Sequence, residues 1–313
     1  MSAPAQQWQD PATLEGLIGK TPLVRLRRLT AALPANVEVY VKAEWFNPGG
    51  SVKDRAALNI VREAIDSGAL QPGGTLLDAS SGNTGIAYAM LGAAMGFKVT
   101  LCLPANANAE RKRTLAAYGA ELVLTDPNDS SDGAIREAQR RAQAHPDTYF
   151  YANQYGNDAN WRAHVKTTGP ELHAQTGGRL THFVAGLGTT GTCMGLSRYI
   201  REHLPHAKVV AFEPDSPFHG LEGLKHLETA IVPDIYEQQL PHEHRDCVTE
   251  KGYEMARQLA RQEGLFVGLS AGAAVAVALR VAEEEAAAGR PAVIVALAPD
   301  GGTRYLSDPL WEE

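Results

Sequence analysis

Short apolar runs alternate with longer amphipathic stretches along almost the whole chain. The strand-like runs are "VEVYVKAE" (37–44), "TLLDAS" (75–80), "KVTLCLP" (98–104), "ELVLT" (121–125), "THFVAGL" (181–187), "KVVAFEP" (208–214) and "AVIVALAP" (292–299). Helical patterns lie between them, at 53–67, 84–95, 110–118, 132–144, 194–200, 250–263 and 271–289. This β–α alternation predicts an α/β fold with mostly parallel sheets and helices on both faces. Several runs are continuously apolar, as strands covered on both faces should be. There are no internal repeats, coiled-coil heptads or low-complexity tracts, and "AEEEAAAG" (282–289) reads as the solvated end of a helix.

With 313 residues, 44% of them hydrophobic, the chain can build one large or two medium domains. Its net charge is −7 and no basic stripe stands out, which argues against nucleic acid as a partner. No apolar run approaches membrane-spanning length, so no membrane partner is expected. The segment "MSAPAQQWQDPATLEG" lacks the basic and apolar regions of a secretory signal. Cys102, Cys193 and Cys247 are far apart and form no C-x-x-C pair. That fits a reducing, cytoplasmic location, with Cys102 a small buried apolar residue. "GLIGKT" (16–21) resembles a phosphate-binding loop, but it has too few residues between its glycines and no preceding strand. "PHEHRDC" (241–247) gathers His242, His244, Asp246 and Cys247 without the usual ligand spacings. It reads as a solvated turn, and no metal site is expected.

Three strand–turn–helix junctions carry candidate chemistry. In "THFVAGLGTTGTCMGLSRYI" (181–200), Gly186, Gly188 and Gly191 satisfy G-x-G-x-x-G, and Glu213 follows about 20 residues on, where a dinucleotide's ribose would want an acid. The local pattern requires only an anion at a helix N-terminus, and NAD is one candidate for it. In "DASSGNTGIAYAM" (78–90), Ser80, Ser81, Gly82, Asn83 and Thr84 crowd more polar groups into a turn than a helix cap needs, which suits a carboxylate. In "FVGLSAGAAVAVAL" (266–279), Ser270 matches the nucleophile-elbow pattern, but no histidine follows it to complete a hydrolase triad; helix capping is the alternative. Separately, "NPGGSVKDRAAL" (47–58) is a turn followed by a helix, with Ser51 placed to cap it. It sets Lys53 in the first helical turn, where the helix dipole disfavours an ammonium. Either Lys53 is a surface charge or it is an amine kept partly neutral and able to form a Schiff base.

Together these motifs resemble the cysteine synthase (O-acetylserine/O-phosphoserine sulfhydrylase) family of fold type II pyridoxal-phosphate enzymes. "NPGGSVKDR", "SSGNTG", "GTTGT" and "GLSAG" recur in the family's order, and the resemblance runs from "IGKTPLVRL" (18–26) to "GGTRYLS" (301–307). It implies two α/β/α domains with open, twisted, mostly parallel sheets: a smaller mobile one at 46–157 and a larger one of 1–45 plus 158–313, with the cofactor between them. By position, Lys53 matches the lysine that binds pyridoxal 5′-phosphate and then serves as acid–base group at the substrate's Cα. Asn83 matches the residue on the cofactor's 3′-oxygen. Gly188, Thr189, Thr190, Gly191 and Thr192 match the 5′-phosphate cup, and Ser270 the hydroxyl at the pyridine nitrogen. Ser80, Ser81, Gly82, Asn83, Thr84 and Gln154 match the grip on the substrate carboxylate. The implied reaction makes L-cysteine from an activated serine and sulfide or another sulfur donor, through an aminoacrylate.

The resemblance also implies small-molecule substrates, a homodimer, and a serine acetyltransferase or sulfur-carrier protein as a possible partner. No appended regulatory module or haem-bearing extension is expected. Condensation of serine with homocysteine, attack by an amine nucleophile to give diaminopropionate, an NAD-dependent dehydrogenase, and a mainly protein-binding role are the competing readings. Four departures from the family pattern stand out. Lys20 replaces the usual asparagine, Ser80 a threonine, Thr190 a glycine and Ala271 a serine. Thr190 makes "GTTGT" look like the B-type branch. In "GLEGLKHLETAIVP" (220–233), Lys225 stands between His219 and His226 where acetylserine-specific relatives carry a glycine-rich segment; either it meets an anion, the phosphate of O-phosphoserine or a charged sulfur donor, or it is a solvated surface lysine.

Overall fold

A computed structural model of the chain describes residues 13–80, 82–307 and 311. In chain order it contains β1 (Leu23–Arg25), β2 (Val37–Ala43), α1 (Lys53–Asp66), β3 (Thr75–Ala79), α2 (Asn83–Met95), β4 (Lys98–Pro104), α3 (Ala109–Ala117), β5 (Glu121–Thr125), α4 (Ser130–Ala144) and β6 (Tyr149–Tyr151). These are followed by α5 (Ala159–Lys166), α6 (Thr168–Thr176), β7 (His182–Gly186), α7 (Gly191–His203), β8 (Lys208–Pro214), β9 (Glu243–Cys247), α8 (Thr249–Gln258), α9 (Leu269–Ala287) and β10 (Ala292–Ala298). One sheet has the order β1-β2-β10-β7-β8-β9 and the other β5-β4-β3-β6. Among the strand pairs of the described residues, only β1–β2 is antiparallel.

The continuously apolar runs occupy the covered middle of each sheet. All seven residues of β10 are buried, as are six of the seven in β4. Alternate residues of β10 and β7 feed cores on opposite faces. Ile294 and Val184 pack under α9, whereas Val295 and Phe183 pack under α7. The four-stranded sheet is covered the same way, with α1 and α2 on one face and α4 on the other. Because the strands run parallel, their C-terminal ends share an edge. The turns after β3, β7 and β10 meet along one cleft there, where α/β folds place their ligands.

The helix α1 belongs to both halves of the molecule. Its Ala57, Ile60 and Val61 pack into the core of the four-stranded sheet. Its Arg55 is buried in an ion network with the other half. Arg55 Nε lies 2.7 Å from Glu44 Oε2 and Nη1 2.7 Å from Glu171 Oε1, while Lys42 Nζ reaches Glu171 Oε2 at 2.7 Å. Thr21 adds its hydroxyl to Arg55 at 3.0 Å and its carbonyl to Lys42 at 2.7 Å. Every charge in this network has a partner, which is what makes its burial tolerable.

Residues 243–247 differ from expectation. They are an edge strand, not a solvated turn, and pair in parallel with β8 from Val210↔Glu243 to Pro214↔Cys247. Exposure alternates along β9, with Cys247 buried and His244 and Asp246 outside. Charged residues of both signs disguised the alternation; such charges suit a sheet edge, where they discourage pairing with another chain. The apposed α5 and α6 also escaped the sequence reading. They are short, and "TTGPE" interrupts their pattern.

Lys20 and Thr190, two of the departures noted above, both adopt left-handed backbone conformations, with φ of 51° and 66°. Asparagine and glycine take this conformation more readily than lysine and threonine. Lys20 is exposed. Lys20→Asn is therefore expected to raise the unfolding free energy by about 1 kcal/mol, measured by denaturant titration; an unchanged or lower value would contradict this account.

Candidate active site

The cleft is a cavity of about 430 Å³, a size suited to a cofactor-sized ligand. Lys53, Ser80, Gly82, Asn83, Thr84, Gln154, Thr189, Thr190, Thr192, Lys225 and Ser270 all line it. Ser81 lies outside the described residues.

Lys53 is the first residue of α1. Its N–H donates to the Ser51 hydroxyl at 3.2 Å, although the cap position of α1 is Val52, one residue later than expected. The turn before it is held from two sides. Gly49 donates to the Asp54 carboxylate at 2.5 Å, and Val52 donates to the Pro299 carbonyl at 2.8 Å. Ser51 also forms an antiparallel bridge with Asp300. Burial lowers the Lys53 pKa, an effect that Asp300's negative charge partly offsets. The same burial raises Asp54 to about 7.

At the second junction, α7 begins at Gly191, and the first bond back into the turn runs from Met194 N to Thr190 O at 2.9 Å. The N–H groups of a first helical turn have no intrahelical acceptor. Thr190 Oγ1 is buried without a partner. The turn has no room for side chains at two glycines. A Cβ on Gly188 would sit 2.1 Å from the Gly223 carbonyl, and one on Gly191 would sit 1.9 Å from Asn160 Oδ1. Asn160 itself is held by Gln154 O at 2.8 Å and Thr189 Oγ1 at 3.2 Å. His164 bridges Thr192 Oγ1 at 3.2 Å and Thr168 Oγ1 at 2.9 Å; burial holds its pKa well below 6.5, so the ring is neutral. An orphaned hydroxyl, free N–H groups and a close-fitting glycine cradle suit a phosphate. Glu213, the acid a dinucleotide's ribose would want, is not among the residues lining the cleft. Its Oε2 is taken up by the Leu227 N–H at 2.7 Å.

Asn83 Nδ2 donates to Asp300 Oδ2 at 2.7 Å, and Arg304 donates to Asn83 Oδ1. Asp300 Oδ2 also accepts from Tyr305 at 2.7 Å. Ser270 is buried in the first turn of α9, whose cap position is Gly268, so capping does not account for it. Gln154 Oε1 accepts from the Thr84 hydroxyl at 2.7 Å. Lys225 is only 9% exposed, which rules out a solvated surface lysine; it lies 3.4 Å from Asp132 Oδ1 and 5.1 Å from the Tyr155 ring centre. The sequence reading missed Asp300, Arg304, Tyr305, Asn160 and His164. "PDGGTRYLS" (299–307) was the available signal, a turn rich in polar residues directly after an apolar run.

The family model described as "Pyridoxal-phosphate dependent enzyme" matches residues 14–300. The chain is 46% identical to a cysteine synthase of Aquifex aeolicus over 302 residues, covering 96% of this chain and 92% of that protein. It is 43% identical to cysteine synthase B of Escherichia coli over 303 residues, covering 96% and 97%. In three dimensions it is similar to a crystal structure of cysteine synthase from Entamoeba histolytica. That comparison has a TM-score of 0.90, 34% identity, and coverage of 100% of this chain and 94% of the other.

Gly191→Ala is expected to expel Asn160 from its two bonds and to close the cradle. The purified variant should lose most of the visible absorbance of bound pyridoxal phosphate and unfold at a lower denaturant concentration. Full absorbance at equal protein concentration would contradict the assignment of this turn.

Proposed function

Because the chain belongs to the pyridoxal-phosphate dependent enzyme family, we propose that it is a cysteine synthase. It replaces the β-substituent of an activated serine, O-acetylserine or O-phosphoserine, with the sulfur of sulfide or another sulfur donor. One observation carries this reading: Lys53, the phosphate-turn residues Gly188, Thr189, Thr190 and Thr192, and Ser80, Gly82, Asn83 and Thr84 all line the same cleft.

Pyridoxal phosphate, when bound, supplies an electron sink for the substrate's Cα. Gly188, Thr189, Thr190, Gly191 and Thr192 hold its 5′-phosphate, with the neutral His164 orienting the Thr192 hydroxyl. Asn83 holds the 3′-oxygen, its amide oriented by Asp300 and Arg304. Ser270 offers a neutral hydroxyl to the ring nitrogen, a weaker proton partner than a carboxylate, which favours loss of a β-group over a long-lived carbanion. Ser80, Ser81, Gly82, Asn83, Thr84 and Gln154 bind the substrate carboxylate.

Lys53 would hold the cofactor and, once the substrate's amine has displaced it, would be free to act as base. Burial lowers its pKa, which shifts the balance toward the neutral amine that a base requires. It takes the Cα proton while the Cβ–O bond breaks and acetate or phosphate departs. The sulfur nucleophile then forms the new bond at Cβ, and Lys53 returns the proton to Cα. Movement of the smaller α/β body, residues 46–157, brings the carboxylate turn onto the substrate and excludes water. A cytoplasmic homodimer is the assembly this reading carries, with a serine acetyltransferase or a sulfur-carrier protein as the partner of the cleft.

Lys225 meets the anion of the leaving group or of the sulfur donor. Its contacts with Asp132 and Tyr155 mean that an incoming anion competes for a charge already engaged.

Two outcomes test this reading. Lys53→Ala should lower cysteine formation by about 10³-fold or more; turnover near wild type would contradict the assignment. Lys225→Ala should lower kcat/KM for O-phosphoserine by about tenfold relative to O-acetylserine, the scale of one charge-assisted hydrogen bond. An unchanged ratio would mean that Lys225 does not meet the leaving group.

A further inference from the structure

Behind the carboxylate turns lies a carboxyl that the reaction above does not use. Asp78 is fully buried at the end of β3. Its Oδ1 accepts the Ala79 N–H at 2.8 Å and its Oδ2 accepts the Gln154 N–H at 3.2 Å. Gln154 closes the ring by donating from Nε2 to the Ala79 carbonyl at 2.7 Å, while its Oε1 accepts from Thr84. Those two bonds fix the amide's orientation, since the reverse would set carbonyl against carbonyl. One amide hydrogen of Gln154 is left over, on a residue that lines the cleft. Asp78 thus ties the end of β3, which leads into the Ser80–Thr84 turn, to the segment carrying Gln154.

The groups around it are neutral at neutral pH. They are Tyr88 of α2, Cys102 of β4, Tyr151 of β6 and Tyr155 of the following loop, and each of them feels its charge. The Tyr88 hydroxyl faces the carboxyl but makes no hydrogen bond of ordinary length. Burial dominates and raises the Asp78 pKa to about 7, against the opposing pull of the Ala79 and Gln154 N–H groups and of Tyr88.

We propose that Asp78 is a positioning residue for the substrate carboxylate, holding Ala79 and Gln154 in the binding arrangement when ionised and releasing part of that hold when protonated. The ionised group has an acceptor for each N–H. Protonation turns one oxygen into a hydroxyl, a weaker acceptor, so one of the two N–H bonds is weakened. The two consequences have opposite signs. A carboxyl whose pKa is raised by folding favours the fold while protonated, so this group costs stability as pH rises through about 7. Substrate binding tightens over the same interval.

This inference rests on the assignment of Ser80–Thr84 and Gln154 to the substrate carboxylate. The holoenzyme is titrated with L-cysteine, following the cofactor's visible absorbance, at pH values on both sides of 7. Wild type, Asp78→Asn and Tyr88→Phe are compared, because the ligand's own amine titrates in all three. Relative to Asp78→Asn, wild type should show an additional tightening centred near pH 7, and it should bind about tenfold more tightly above it. The Tm of Asp78→Asn should gain on that of wild type as pH rises. Tyr88→Phe removes a group that lowers the Asp78 pKa, so the step should move to higher pH.

Equal affinities for wild type and Asp78→Asn at every pH would overturn the proposal. If Asp78→Asn does not fold, a wild-type affinity that follows only the ligand amine's own titration, with no step near pH 7, overturns it instead. A wild-type holoenzyme with no saturable response to L-cysteine would sink the carboxylate assignment itself, and this proposal with it.

Discussion

The structure depends on keeping one amine out of water while leaving it open to a cleft. Lys53 could not be held there by its own contacts, because a cation gains little at a helix N-terminus. The segment Pro299–Gly301, directly after β10, supplies the hold. On one side it accepts Val52 N and bridges Ser51; on the other it bridges Val267 and accepts Gly268 N. The starts of α1 and α9 are thereby stitched to the same three residues, which sets Lys53 and Ser270 on a common frame. The Arg55 network secures the next residues of α1 to the six-stranded half.

Desolvation favours the neutral form of four buried groups around that frame. It lowers Lys53, pushes His164 well below 6.5, and raises Asp54 and Asp78 to about 7. Each shift favours the neutral form. A neutral imidazole can bridge two threonine hydroxyls, and a partly neutral amine can act as a nucleophile and base. Groups displaced from their ordinary pKa values gather where chemistry is done. Here the displacement follows from burial first, with individual charges as corrections.

Much of this was legible in the sequence because it is written in local patterns. Strands covered on both faces appear as apolar runs, and a turn that needs bare backbone appears as glycine. The G-x-G-x-x-G match was nonetheless ambiguous. Strand, glycine turn and helix specify an anion site, and Lys53, Asn83 and Ser270 were needed to say what the anion is attached to. Glu213 shows the limit of spacing arguments, since it stands where a ribose partner was expected and instead binds a backbone N–H. Asp300, Asp78, Asn160 and His164 were not legible. Each acts through partners distant in sequence, and each looks alone like an ordinary polar residue. The strand β9 was hidden for a related reason, its pattern being carried by charged residues at an edge. Lys20 and Thr190 were visible as departures, but their meaning, a left-handed backbone, required coordinates.

The central claim is that Lys53 carries the cofactor. Its most direct test is to treat the purified holoenzyme with borohydride, digest it, and locate the pyridoxyl group by peptide mass spectrometry. The account predicts a single labelled peptide with the label on Lys53. Label on another lysine, such as Lys225, or a holoenzyme that yields no labelled peptide, would contradict it.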